Sequence, residues 1–205
     1  FVFPGHNGQR AGLGGEAADG AAVPRAPYFT AEMGGGVPPM YRRRPVLEPE
    51  DVAAMLPVGL GSGINWYGYY MFHGGQNSPD RGVLNETTAS GAYNDVPRID
   101  YEFQAPLGAY GQESAVMRRV RPFHFFLNAF GGRLAPMVVR SPDTVPDGPR
   151  DLETPRFSVR SLGDSGFLFF NNHVRQHAMR SHRDVQFSVA LPGGTVTFPS
   201  VPGDI

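Results

Sequence analysis

The chain of 205 residues carries a formal net charge of −1, from 18 basic and 19 acidic side chains, a balance that offers no electrostatic footprint for nucleic acid or an anionic membrane. It has no cysteine, which excludes disulfide frameworks, cysteine-ligated metal and thiol nucleophiles. Its basic residues are all arginine, which excludes Schiff-base and phosphate-loop lysine chemistry and leaves carboxylates, histidines and hydroxyls as the groups available for catalysis.

No apolar run approaches the roughly 18 residues of a membrane span, and the start, Phe1-Val2-Phe3-Pro4-Gly5-His6, lacks the basic and apolar regions of a signal peptide. The chain therefore reads as soluble, with its compartment open. It opens without Met and is expected to be part of something longer. Glycine (27) and proline (20) are abundant, but so are aromatic residues, whose burial favours an ordered, loop-rich chain.

Residues 1–27 have no period of two or 3.6 and read as loop or linker. Tyr28-Phe29-Thr30-Ala31 is a β-prone run ending at the carboxylate of Glu32 and the triplet Gly34-Gly35-Gly36. Pro49, Glu50 and Asp51 make a helix start, followed by Val52, Met55 and Leu56 at helical spacing, with Pro57 predicted to kink or end the helix. The glycines of Gly59-Leu60-Gly61-Ser62-Gly63 lie between a helix and a strand. A phosphate fingerprint needs the reverse order, so they read as an ordinary turn.

Residues 64–72 are dense in aromatics and read as a buried strand. Trp66, Tyr67, Tyr69, Tyr70, Phe72 and His73 are expected to deliver rings and hydroxyls to one mouth, a mixture suited to the apolar faces and polar edges of sugars. The polar stretch 74–97 exceeds an ordinary connection and reads as functional; its Asn85-Glu86-Thr87 is a formal glycosylation sequon. Val116, Val120, Phe123, Leu127 and Phe130 predict a helix capped by Gly131 and bent at Pro122. Beyond it the pattern turns to β: Phe157 and Val159 alternate, 166–170 is apolar, and Val185, Phe187, Val189 and Leu191 precede Gly193-Gly194 and a return strand over 195–198. His173, His177 and His182 sit in this β region without a carboxylate motif and read as surface or packing residues, so no metal or cofactor is expected.

Three blocks carry a resemblance. They are Tyr28-Phe29-Thr30-Ala31-Glu32-Met33-Gly34-Gly35-Gly36, then Gly68-Tyr69-Tyr70-Met71-Phe72-His73-Gly74-Gly75-Gln76-Asn77, then Tyr101-Glu102-Phe103-Gln104-Ala105-Pro106-Leu107-Gly108. In this order they resemble the later catalytic-domain blocks of glycoside hydrolase family 35, the retaining β-galactosidases. The resemblance covers about residues 28–130, and residues 157–205 resemble the β domain that follows the barrel in bacterial members.

The resemblance implies an α/β plus all-β fragment: the last two βα units of a TIM barrel over 28–130, and part of a β-rich domain over 131–205. It places Glu32 as the nucleophile and Tyr70, Tyr101, Phe103, His73 and Asn77 as substrate-binding residues. Phe103 stands where many members have a second sugar-contacting tyrosine, and Gln76 where threonine is common. A retaining glycosidase needs a second carboxyl about 5–5.5 Å away as acid/base; in the family it follows the fourth strand, and no residue of this chain matches it. The implied partners are a galactoside or oligosaccharide and the remainder of the barrel. The alternative is a non-catalytic remnant or sugar-binding module without the acid/base.

Overall fold

The structure, a computed structural model, describes residues 14–16, 22–24, 26–38, 45–78, 80, 91 and 99–205. The Asn85-Glu86-Thr87 sequon and most of the 74–97 stretch lie outside the described residues. Helices and strands are mixed, and among the described residues the strands form small sheets of two or three members, not a closed barrel. The chain divides into two compact units, one of Phe29–Leu56 and Trp66–Phe126, the other of Phe1–Tyr28, Pro57–Asn65 and Leu127–Ile205.

Strand β1 (Gly14–Glu16) pairs antiparallel with β2 (Ala22–Pro24), inside the segment whose composition reads as loop. A backbone ladder needs no apolar period, so a glycine-rich sequence leaves it invisible. Strand β3 (Tyr28–Gly34) runs two positions past Glu32 and neighbours β4 (Ile64–Tyr70). Between them lie α1 (Pro49–Ala53) and α2 (Met55–Gly61). The Asp51 carboxylate accepts the Glu48 N–H at 3.1 Å and secures the start of α1. The helical break falls at Ala54 and not at Pro57. Pro57 stands in the first turn of α2, where its missing N–H would have had no partner within the helix anyway.

Helix α3 (Ala115–Leu134) begins at Ser114, whose hydroxyl accepts the Val116 N–H at 3.1 Å. It contains Pro122 and continues through Gly131 to Leu134, because Leu134 is buried and holds the last turn in place. In the first unit, Val52 and Leu56 meet Val116 and Val120 in a buried cluster, with Tyr67, Tyr69 and Phe123 packed against it.

The second unit contains an antiparallel sheet of β7 (Val138–Arg140), β8 (Phe157–Leu162) and β9 (Ser165–Phe170). It also holds the hairpin of β10 (Val185–Leu191) and β11 (Gly194–Gly203), closed where Leu191 faces Gly194. Phe187 links the hairpin to the three-stranded sheet, at 5.0 Å from the Phe157 ring and 6.0 Å from the Phe170 ring. Arg160 of β8 is 1% exposed. Its guanidinium donates to the carbonyls of Ile64 (3.2 Å), Ala135 (3.2 Å), Met137 (3.3 Å) and Leu60 (3.4 Å), backbone acceptors at or near element ends, of which Leu60 also accepts the Gly63 N–H and Ala135 the Asn65 side-chain amide.

Candidate active site

Glu32 is exposed near the end of β3, and the chain beyond it turns sharply through three glycines. The turn is fixed against β4: the Gly35 N–H donates to the Tyr70 carbonyl at 3.1 Å. A Cβ on Gly35 would stand 2.0 Å from the Met71 carbonyl oxygen, and one on Gly36 would stand 1.9 Å from that of Phe103. Only glycine permits this approach of three backbone segments. The Tyr70–Met71 peptide bond is cis.

The segment 101–104 closes the corner. Phe103 and Gln104 both adopt left-handed backbone, φ 57° and 54°, a conformation that side-chain-bearing residues rarely take without outside support. The Ala105 N–H closes the turn on the Glu102 carbonyl at 3.1 Å, and Gln104 adds support from outside it. Its side-chain oxygen accepts the Leu47 N–H at 3.1 Å, and its amide nitrogen donates to the carbonyls of Pro45 (2.9 Å) and Val37 (3.1 Å). Val37, Pro45 and Leu47, which follow the Glu32-bearing strand, are thereby tied to the residue beside Phe103.

Phe103 is 4% exposed and receives two rings edge-on, Tyr70 at 5.7 Å and Tyr101 at 6.2 Å. Tyr101 lies in β6 (Asp100–Tyr101), which pairs with β5 (Gly75–Gln76), its ring over Gly75. Asn77 is 4% exposed and its N–H donates to the Ile99 carbonyl at 2.5 Å. His73 bridges to Leu107, and its Nδ1 contacts the Gly74 carbonyl. The blocks that hold the six named residues are thus joined through backbone and rings, with Tyr70, Tyr101 and Phe103 in direct contact.

The aromatic strand does not send all its rings to that corner. Side chains alternate across a strand, so Tyr67 and Tyr69 turn to the α1, α2 and α3 core while Tyr70 faces Phe103. Trp66 stands at the opposite end of β4, 62% exposed, paired with Phe29 at 5.7 Å. Phe72 joins Tyr69 and His124. Burial raises the pKa of the Tyr67 and Tyr69 hydroxyls, reinforced for Tyr69 by Tyr67, and burial lowers that of His124, which hydrogen-bonds Tyr69 at 2.9 Å. The Tyr69 hydroxyl stays protonated and is tied to His124, and so is not an acid for substrate.

Sequence reasoning missed Gln104 and Glu102. The Glu102 carboxylate accepts the Ala109 N–H at 2.8 Å and the Gln112 side-chain amide at 3.2 Å, and so holds the 108–112 turn. Their only signal was the presence of two polar side chains flanking Phe103 in a block otherwise read for its rings. Among the described residues there is no cluster of metal-ligating side chains, and no helix is long and apolar enough to cross a membrane. No protein-family model and no curated protein matches the chain.

Proposed function

We propose that this chain carries the nucleophile and part of the sugar-binding corner of a retaining β-galactosidase, acting on terminal non-reducing β-galactosyl residues. On this reading β3, α1, α2, β4 and α3 are the last two βα units of a TIM barrel. Glu32 attacks the anomeric carbon to form a glycosyl ester as the bond to the leaving oxygen breaks; a second carboxyl protonates that oxygen, then activates the water that cleaves the ester.

The observation that carries the reading is the junction of the three blocks, made by the Gly35–Tyr70 hydrogen bond and the contact of Tyr70 and Tyr101 with Phe103. It places ring faces and phenol groups beside the end of the strand bearing Glu32, the mixture a pyranose takes. The test is to trap the full-length protein with a fluorinated galactosyl inactivator and locate the ester by mass spectrometry. The label is expected on Glu32, and a label on any other carboxylate overturns the assignment.

A second reading is a sugar-binding segment without turnover. It is favoured by the engagement of Glu102, the other carboxylate in these blocks, with the 108–112 turn, which removes it as the acid/base. The two readings separate in one assay: residues 1–205 expressed alone are expected not to hydrolyse a nitrophenyl galactoside. Turnover abolished by Glu32→Gln would show that the chain contains its own acid.

A further inference from the structure

We propose that Tyr110 and His73 form the subsite for the leaving group of a β-galactoside, receiving a pyranosyl or aryl ring on the far side of the bond that Glu32 attacks. The assignment rests on the glycosidase reading above and adds to it the chemistry of the second ring.

Tyr110 is 74% exposed, yet the backbone of the turn beneath it is hydrogen-bonded at every N–H from 108 to 111. The Gly108 N–H donates to the Gln112 carbonyl at 2.8 Å and the Gly111 N–H to the Gly108 carbonyl at 2.9 Å. The Ala109 N–H donates to Glu102 at 2.8 Å, and that of Tyr110 itself to the Gln112 side-chain oxygen at 3.0 Å. Successive N–H groups from 108 to 111 are all engaged, two of them by side chains. A large ring held out in water on so determined a backbone gains little from burial and is preorganised to meet a partner.

The base of the turn locates it. Leu107 donates to the Phe72 carbonyl at 2.9 Å and accepts from the Gly74 N–H at 2.8 Å, which fastens the turn to the segment directly after Tyr70. His73 is exposed beside it, and a Cβ on Gly111 would lie 3.9 Å from His73 Nε2. His73 Nδ1 faces the Gly74 carbonyl, which can only accept, so the neutral ring carries its proton on Nδ1 and presents Nε2 as an acceptor.

The turn that carries the exposed Tyr110 ring therefore also borders, through Gly111, the His73 acceptor. A sugar ring uses both, one through its CH face and the other through a hydroxyl. The buried Phe103 corner suits the galactosyl unit that must be fixed for attack, and an open platform suits the group that must depart.

The experiment compares kcat/KM of the full-length protein for lactose and nitrophenyl β-galactoside with that for methyl β-galactoside, whose leaving group is too small to stack. In Tyr110→Ala the ratio of the large-aglycone substrates to the methyl substrate is expected to fall roughly three- to tenfold, mainly through KM. Tyr110→Trp is expected to keep it. An unchanged ratio in Tyr110→Ala, or an equal loss on all three substrates, overturns the assignment while the glycosidase reading stands. Failure of the wild-type protein to hydrolyse any of the three overturns both.

Discussion

Each unit of the molecule suspends irregular backbone from one polar side chain, and the two do it differently. Arg160 is a charged fork in the interior, donating to four carbonyls that terminate helices and strands. Gln104 is a neutral, half-buried amide that both donates and accepts, satisfying the Leu47 N–H and the Val37 and Pro45 carbonyls. The arginine joins elements that are themselves regular, so its role is to hold a fold together. The glutamine ties Val37, Pro45 and Leu47 to the left-handed pair Phe103 and Gln104, whose turn the Ala105 N–H closes on the Glu102 carbonyl at 3.1 Å, so its role is to fix the geometry around Glu32, Tyr70 and Phe103.

The contrast breaks first at Arg160. Arg160→Leu keeps the apolar stem and strips the donors: the Leu60 and Ala135 carbonyls keep the Gly63 N–H and the Asn65 amide, while the Ile64 and Met137 carbonyls lose the arginine, at about 1–3 kcal/mol each. The expected loss is on the order of 3–5 kcal/mol, read as a lower urea midpoint of the unit containing β8, or as failure to fold. Arg160→Lys, with a point charge in place of the fork, recovers only part of it. A variant as stable as wild type would remove the arginine's claim to that role.

Gln104→Met is the smaller and more local change. It keeps the volume and loses three hydrogen bonds, for about 1–3 kcal/mol, and releases Val37, Pro45 and Leu47. On the glycosidase reading it lowers kcat on the order of tenfold or more through a misplaced Glu32, with KM altered less. Gln104→Glu is expected to be worse than Met: its carboxylate can still accept from Leu47 but sets oxygen against the Val37 and Pro45 carbonyls. If both variants lose stability without any change in kcat relative to KM, Gln104 is an ordinary structural tie like Arg160.

Neither residue was legible for what it does. Arg160 stands at a polar position in an alternating strand pattern, and alternation predicts a solvent-facing side chain; the carbonyls that draw it inward come from residues up to a hundred positions away. The left-handed pair Phe103 and Gln104 left no glycine or asparagine to announce it. What could be read was local. Apolar spacing revealed α3, period-two alternation revealed β8 and β10, and Gly193-Gly194 marked the final hairpin, each dictated by one buried face. Pro57 misled because proline breaks a helix interior, whereas here a new helix starts just before it. That Tyr70, Tyr101 and Phe103 would meet followed only from the likeness of three separated blocks, since nothing in their own neighbourhoods specifies partners so far along the chain.

The smallest expected effect uses pH to address the units separately. His124, in the unit that holds Gln104, is kept below its ordinary 6.5 by burial, so the unfolded chain takes the proton first. Its contribution is fully present above about pH 6.5 and declines as pH falls below that value. Asp151, in the unit that holds Arg160, is pulled from 3.8 to about 2 by the Thr154 side chain first and then by the Thr154, Glu153 and Asp147 amides. Its contribution is present above about pH 3.8 and is lost as pH falls toward 2, a window below the histidine's. Acid titration followed by amide NMR is therefore expected to loosen the surroundings of Tyr69 and α3 first, and the 147–154 loop only afterwards. His124→Gln should remove the first step alone and Asp151→Asn the second alone. A single transition affecting both regions together would mean that the two units do not respond to acid independently.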